Sequence, residues 1–208
     1  MDQTGIHTAL FARSTDSQVN QQFTVDWAVR YWINNGCSPS KLVLGLGLYG
    51  RTFRLSSSTN TGIGAPAVGP GSAGLYTGEA GFLAYYEICV RIQQQNWTKV
   101  FDDVQKANYA FKGTEWAGFD DAYSLSFKVK YAQDMRLAGI MFWAPDLDDF
   151  TGSQCNQGKY PLMNTAVQLL RQQTSFPTTT TTTTTLPPIT TTLPPTGQNK
   201  RIVCYYTH

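Results

Sequence analysis

The sequence predicts an α/β fold, and a piece of one rather than a whole, on three observations. Two short apolar runs, Leu42-Val43-Leu44-Gly45-Leu46 and Gly139-Ile140-Met141-Phe142-Trp143, have the length and character of buried strands. Helical periodicity precedes, separates and follows them, and strands that alternate with helices pair in parallel. Two parallel strands cannot by themselves form a sheet covered on both faces, so the chain is expected to be a fragment of a larger α/β fold.

Each element has its own signal. Phe23, Trp27, Ala28, Tyr31 and Trp32 recur at helical spacing and are expected to line the buried face of a helix that Asn35-Gly36 stops. The first strand run follows, then Gly- and Ser-rich sequence from Ser56 to Gly74. A second helix is expected to carry Phe82, Tyr85, Tyr86 and Cys89 on one side. Tyr109-Ala110-Phe111-Lys112-Gly113 and Glu115-Trp116-Ala117-Gly118-Phe119 read as a hairpin. A helix from about Ser124 to Met135 leads into the second strand run, and Leu162, Ala166, Leu169 and Leu170 mark a closing helix. From Thr174 to Gln198 the chain turns to Thr and Pro, with the imperfect repeat TTTLPPITTTLPPT. Such a stretch cannot bury enough apolar surface to offset chain entropy. It reads as an extracellular spacer whose hydroxyls suit O-linked sugars, with an unglycosylated disordered tail as the plainer alternative.

Composition narrows the ligand. Charged residues make up only 14% of the 208 residues, well below the roughly 25% of an average soluble chain. The net charge is +2 and no run of Lys or Arg stands out, which argues against nucleic acid. Aromatics reach 13%, with 5 Trp, 11 Tyr and 11 Phe. Aromatic planes suit the apolar C–H faces of neutral sugar rings. No apolar run approaches the roughly 20 residues of a membrane helix, and no signal peptide is visible at the N-terminus. Cys37, Cys89, Cys155 and Cys204 form no C-x-x-C pair, and His7 and His208 are the only histidines. The cysteines therefore read as a mixture of thiols and disulfide rather than a metal site, and no cofactor is implied.

In an α/β barrel the working residues sit at the C-terminal ends of strands. The first strand run ends in Leu48-Tyr49-Gly50-Arg51 and the second in Trp143-Ala144-Pro145-Asp146-Leu147-Asp148-Asp149. Trp143 supplies a flat apolar plate, Tyr49 a hydroxyl and Arg51 a fork of donors, which together suit a sugar pocket. Taken singly, each is as well explained by ordinary packing or surface charge. Asp146, Asp148 and Asp149 invite comparison with the paired carboxylates of glycoside hydrolysis. Three acids on one loop more often cap a helix or bind backbone amides. The spacing also fails the D-x-D-x-E pattern, because Phe150 stands two residues after Asp148.

Several long stretches now become specific. LVLGLGLYGRTF, TNTGIGAPAVGPGSAGLYTGEAGFLAYYEIC, WAGFDD and GIMFWAPDLDDFTGSQCNQGKYPL, in that order, resemble glycoside hydrolase family 18, and within it animal chitinases and chitinase-like lectins. The resemblance runs from about Gly5 to Leu170. It implies the C-terminal portion of a (β/α)8 barrel, with strands seven and eight, their helices and an α+β insertion at about 50–123. The expected layout is a partial barrel over 1–173, a linker over 174–199 and, over 200–208, the first strand of a second domain of the same kind. By the same resemblance, Trp143 is the aromatic floor of the sugar site and Met141 packs beside it. Tyr49 and Arg51 contact substrate, Glu87 lines the cleft, and Cys89 pairs with Cys155. Cys37 has no implied partner, and that of Cys204 lies outside the chain.

The resemblance also implies chitin or chitooligosaccharides as partner and a substrate-assisted retaining reaction on β-1,4-linked N-acetylglucosamine. A catalytic Glu protonates the glycosidic oxygen, and the substrate's acetamide attacks the anomeric carbon. The family's D-x-x-D-x-D-x-E strand is absent from the 208 residues, so this chain alone is expected not to hydrolyse. A lectin that binds without cutting is the alternative. A disulfide and the acceptor triplet Asn96-Trp97-Thr98 point to secretion.

Overall fold

The computed structural model describes residues 3–173. Its centre is a parallel pair, β1 (Val43–Gly47) and β8 (Gly139–Trp143), in register from Val43 opposite Gly139 to Gly47 opposite Trp143. Between them the chain builds an antiparallel sheet from β2 (Tyr49–Leu55), β3 (Ala67–Pro70), β4 (Phe82–Ala84), β5 (Thr98–Asp102), β6 (Ala107–Lys112) and β7 (Glu115–Phe119). Its order is β3-β2-β7-β6-β5, with β4 also pairing β2. The helices are α1 (Gln18–Gln21), α2 (Val25–Asn34), α3 (Tyr85–Gln93), α4 (Ala122–Asp134) and α5 (Pro161–Gln173). The expected hairpin is β6–β7, turning at Gly113 with φ +57°, and the expected last two helices are α4 and α5. The linker and second-domain strand expected beyond residue 173, with Cys204, lie outside the described residues.

The local chemistry explains the boundaries. Thr24 caps α2 by accepting the Trp27 N–H, and Gly36 ends it at φ +92°. Asp121 caps α4 by accepting the Ser124 N–H at 2.8 Å. At the junction of β1 and β2 the backbone must pass close to its neighbours. A Cβ at Gly50 would stand 2.6 Å from Ile88 Cδ1 and 3.0 Å from the Gly118 carbonyl, so only glycine lets β2 lie between α3 and β7.

The main core gathers Leu44 and Leu46 of β1, Leu125 and Val129 of α4, Leu162 and Ala166 of α5, and Leu83 and Ile88 beside β2. A smaller cluster forms around Phe53, Leu55 and Trp116. Three expectations need correction. The strands are less buried than expected: β1 alternates between half-buried and buried positions, and β8 is half-buried from Gly139 to Phe142 and exposed at Trp143. Among the described residues each strand of the pair has a single strand neighbour, so one edge of each has no strand beside it. The face of α2 is also different. Ala28 and Val29 are buried and Val25, Trp32 and Ile33 pack on the core, whereas Phe23, Trp27 and Tyr31 are exposed. Trp27 and Tyr31 stack on each other at 5.0 Å, so ring size misled the reading of the stripe. Finally, Phe82 lies on β4 and only Tyr85 onward is helical. Tyr85 and Cys89 turn inward and Tyr86 stays half-exposed.

Candidate functional site

Parallel register brings the C-terminal ends of β1 and β8 side by side, and the Leu48 N–H donates to the Trp143 carbonyl at 2.9 Å. The chain leaves β1 through Leu48 directly into β2, so Tyr49 and Arg51 stand at the same end as Trp143. All three, with Met141, line one cavity of about 300 Å³. Four of the five expected sugar-site residues are thus brought together. Trp143 is 59% exposed at the end of its strand, a plate with little to cover it. Met141 sits opposite Gly45 and is half-buried.

Tyr49 is held more firmly than its sequence context suggests. Its ring lies between His7 (centroids 4.8 Å apart) and Phe82 (4.9 Å). The Arg51 guanidinium rests over both Tyr49 and Phe82, at 5.5 and 5.4 Å from the ring centres. Burial pushes the Tyr49 phenol up, only partly opposed by Arg51, so the hydroxyl is a donor at neutral pH. Arg51 Nη1 is also 3.9 Å from Glu79 Oε1, and Glu79 is largely exposed.

Glu87 does not join this group. It is 5% exposed and does not line the cavity. Its Oε1 accepts the N–H groups of Tyr76 and Thr77 at 2.8 and 3.3 Å, and its Oε2 accepts the Thr77 hydroxyl and Ala84 N–H at 2.8 and 3.0 Å. A Cβ at Gly74 would meet its Oε1 at 2.2 Å, so the loop closes onto the carboxylate only with glycine there. The exposed acid beside the cavity is Glu79. Its signal in the sequence is faint: an acid in a glycine-bracketed turn, Gly78-Glu79-Ala80-Gly81, with φ +64° and +86° at the glycines. His7 was likewise missed as a site residue, because one histidine without metal-ligand spacing carries little information.

The acids after β8 are scaffold. Asp148 is buried and accepts the Leu162 and Met163 N–H groups at 3.1 and 3.0 Å, starting α5. Asp149 accepts the Gly152, Gln154 and Cys155 N–H groups at 2.9, 2.9 and 2.8 Å. Asp146 alone is exposed. A buried pair, Lys128 to Asp120 at 2.6 Å, also lines the cavity. Burial dominates both groups, raising Asp120 and lowering Lys128. Ser124 donates to Asp120 at 2.7 Å, and Lys128 donates to the Lys106 carbonyl at 3.0 Å. Cys89 and Cys155 are joined, tying α3 to the loop after β8, and Cys37 is a thiol. Asn96 is exposed in the turn between α3 and β5, with Trp97 buried beside it. Among the described residues no group of three or more His, Cys, Asp or Glu could hold a metal ion, and no helix is long and apolar enough to cross a membrane.

The family model for glycosyl hydrolases family 18 matches residues 1–148. Chitotriosidase-1 of Mus musculus is 44% identical over 175 residues, covering 84% of this chain and 36% of the relative. Chitinase-3-like protein 2 of Homo sapiens is 42% identical over 167 residues, covering 80% and 42%. The chain thus spans less than half the length of these relatives. Among solved structures, human YKL-39, described as a pseudo-chitinase with retained chitooligosaccharide binding properties, superposes with a TM-score of 0.77 at 41% identity, covering 81% of this chain and 46% of that one. Ostrinia furnacalis Group IV chitinase in complex with allosamidin gives 0.79 at 40% identity, covering 83% and 46%. Such neighbours imply a TIM-barrel-type α/β fold. The family match and the sequence relatives agree: the chain belongs to the glycosyl hydrolases of family 18.

Proposed function

We propose that the chain supplies one wall of a cleft for chitooligosaccharides, with β1 and β8 as barrel strands seven and eight and β2–β7 with α3 as the α+β insertion. The observation that carries this reading is the exposed Trp143 plate beside the clamped Tyr49 and Arg51 at the aligned strand ends. Trp143 stacks on a pyranose face, Met141 fills the space beside it, and Tyr49 and Arg51 donate to sugar oxygens. Glu79 orients Arg51 and accepts from hydroxyls. Glu87 acts at one remove by fixing the loop that carries Tyr76. In the whole protein the reaction is substrate-assisted hydrolysis of β-1,4-linked N-acetylglucosamine, with its general acid outside these 208 residues. The protein is secreted, with the Cys89–Cys155 disulfide formed in an oxidising compartment and Asn96 as a glycan acceptor.

The binding-only reading is favoured for this chain taken alone, because it lacks the D-x-x-D-x-D-x-E strand. Losing the general acid removes about 10²–10⁴-fold outright. A fluorogenic chitobioside with the purified chain tests this: no release above buffer is expected, and clear turnover would refute it. Retention on chitin beads by the chain, reduced in Trp143→Ala, is the matching expectation for binding.

A further inference from the structure

Beyond the cavity, three aromatic rings form a continuous ladder with exposed ends and a half-buried middle ring. Tyr76 meets Tyr86 edge-to-face with centroids 5.8 Å apart, and Tyr86 meets Phe150 in the same way at 6.0 Å. Tyr76 is 65% exposed and Phe150 44%. We propose that Tyr76, Tyr86 and Phe150, with the Asp146 carboxylate, form a second sugar-binding surface for β-1,4-linked N-acetylglucosamine chains too long for the central cavity. The inference rests on the cleft reading above and extends it.

Rigidity is the first support. Each end of the ladder is pinned by a buried carboxylate. Glu87 accepts the Tyr76 N–H at 2.8 Å, and Asp148 accepts the Asp149 N–H at 2.9 Å while its carbonyl takes the Phe150 N–H at 2.8 Å. Asp149 folds the rest of that loop, and the Cys89–Cys155 bond ties it to the helix that carries Tyr86. Rings held this way lose little freedom when a ligand arrives.

Chemistry is the second support. Edge-to-face packing leaves the faces of Tyr76 and Phe150 approximately at right angles to the ring between them, at 68° and 86°. Burial, then Glu87, Asp146 and Tyr76, push the Tyr86 phenol up, so it is a donor at neutral pH. Asp146 is exposed and accepts only. An apolar plate, a donor and an acceptor side by side match a neutral pyranose, with its apolar C–H faces and hydroxyl rim. Connection is the third support: Asp146 and Phe150 lie on the segment that leaves β8 at Trp143.

Length dependence tests the proposal. Tryptophan fluorescence titrations with chitotriose and chitohexaose would compare the parent chain with Tyr76→Ala, Tyr76→Ala/Phe150→Ala and Trp143→Ala. The double variant is expected to lose about tenfold in hexasaccharide affinity, or ~1.4 kcal/mol, with the trisaccharide within about twofold of the parent. Tyr76→Ala, altered only at an exposed loop position, should shift the same way by less, keeping the test open if the double variant folds poorly. Unchanged hexasaccharide affinity, or equal losses for both lengths, overturns the second surface. Wild-type binding of both sugars by Trp143→Ala overturns the cleft reading instead.

Discussion

Tyr49 shows how much of a site is set by the neighbours of a side chain, here two that line the same cavity. Its ring is clamped by His7 and Phe82, which limits its movement at the cavity wall. His7→Ala is predicted to weaken chitotetraose binding by about fivefold through loss of one ring contact, ~1 kcal/mol. His7→Phe keeps the stack and should restore affinity; failure of both variants equally would discount the clamp. The two glutamates separate in the same assay. Glu79→Gln should weaken binding and leave the thermal midpoint unchanged, because Glu79 is largely exposed. Glu87→Gln should do the reverse, costing about 1–3 kcal/mol of stability as buried donors lose a charged acceptor. Urea melts of both variants check this. Sequence made Trp143, Tyr49 and Arg51 legible because strand ends carry function. It could not separate Glu79 from Glu87, since hydrogen bonding to a folded loop leaves no mark on spacing.

Elements differ in how clearly their sequences announce them. The β6–β7 hairpin and helices α4 and α5 are legible because turn residues and period agree. Helix α2 is legible in extent but not in orientation, since Val25, Ala28, Val29 and Trp32 compete with Phe23, Trp27 and Tyr31 for the inward face. The exposed set predicts self-association. Replacing Phe23 and Tyr31 by Ser should shift the purified chain toward a monomeric elution volume with little change in its melting midpoint. At the start of α4, burial opposes the charge on Asp121, but the Lys99 ammonium and the Ser124 N–H outweigh it and hold the carboxyl below its usual 3.8. A lowered folded value means Asp121 stabilises fully above the unfolded carboxylate range, and that contribution fades as pH falls through the folded value. Asp121→Asn should therefore flatten the acid limb of stability below about pH 4; an unchanged limb would contradict the cap. Reducing Cys89–Cys155 is expected to cost about 2–4 kcal/mol, since it closes a long loop.

For the whole molecule, the parallel pair and the antiparallel sheet share one core through Leu48, Leu83 and Ile88, so the wall of the cleft is a continuous packed unit. Its outer surfaces are less complete. Both strands of the pair are half-covered, and the isolated chain is expected to be marginally folded and prone to aggregate. A cooperative transition at a monomeric elution volume would contradict that expectation. The strand count and the family's long motifs made the fold class legible; the partial covering of β1 and β8 was not, because an apolar run says which residues avoid water and not how many neighbours they have. Marginal stability also makes ligand linkage the sharpest probe. A ligand that binds only the folded state at a hundred times its Kd adds about 2.7 kcal/mol. The decisive measurement is the thermal midpoint of the full chain with and without saturating chitotetraose, beside Trp143→Ala and a cellotetraose control. The account predicts a raised midpoint for the parent chain with chitotetraose alone; no shift, or an equal shift in Trp143→Ala, would contradict it.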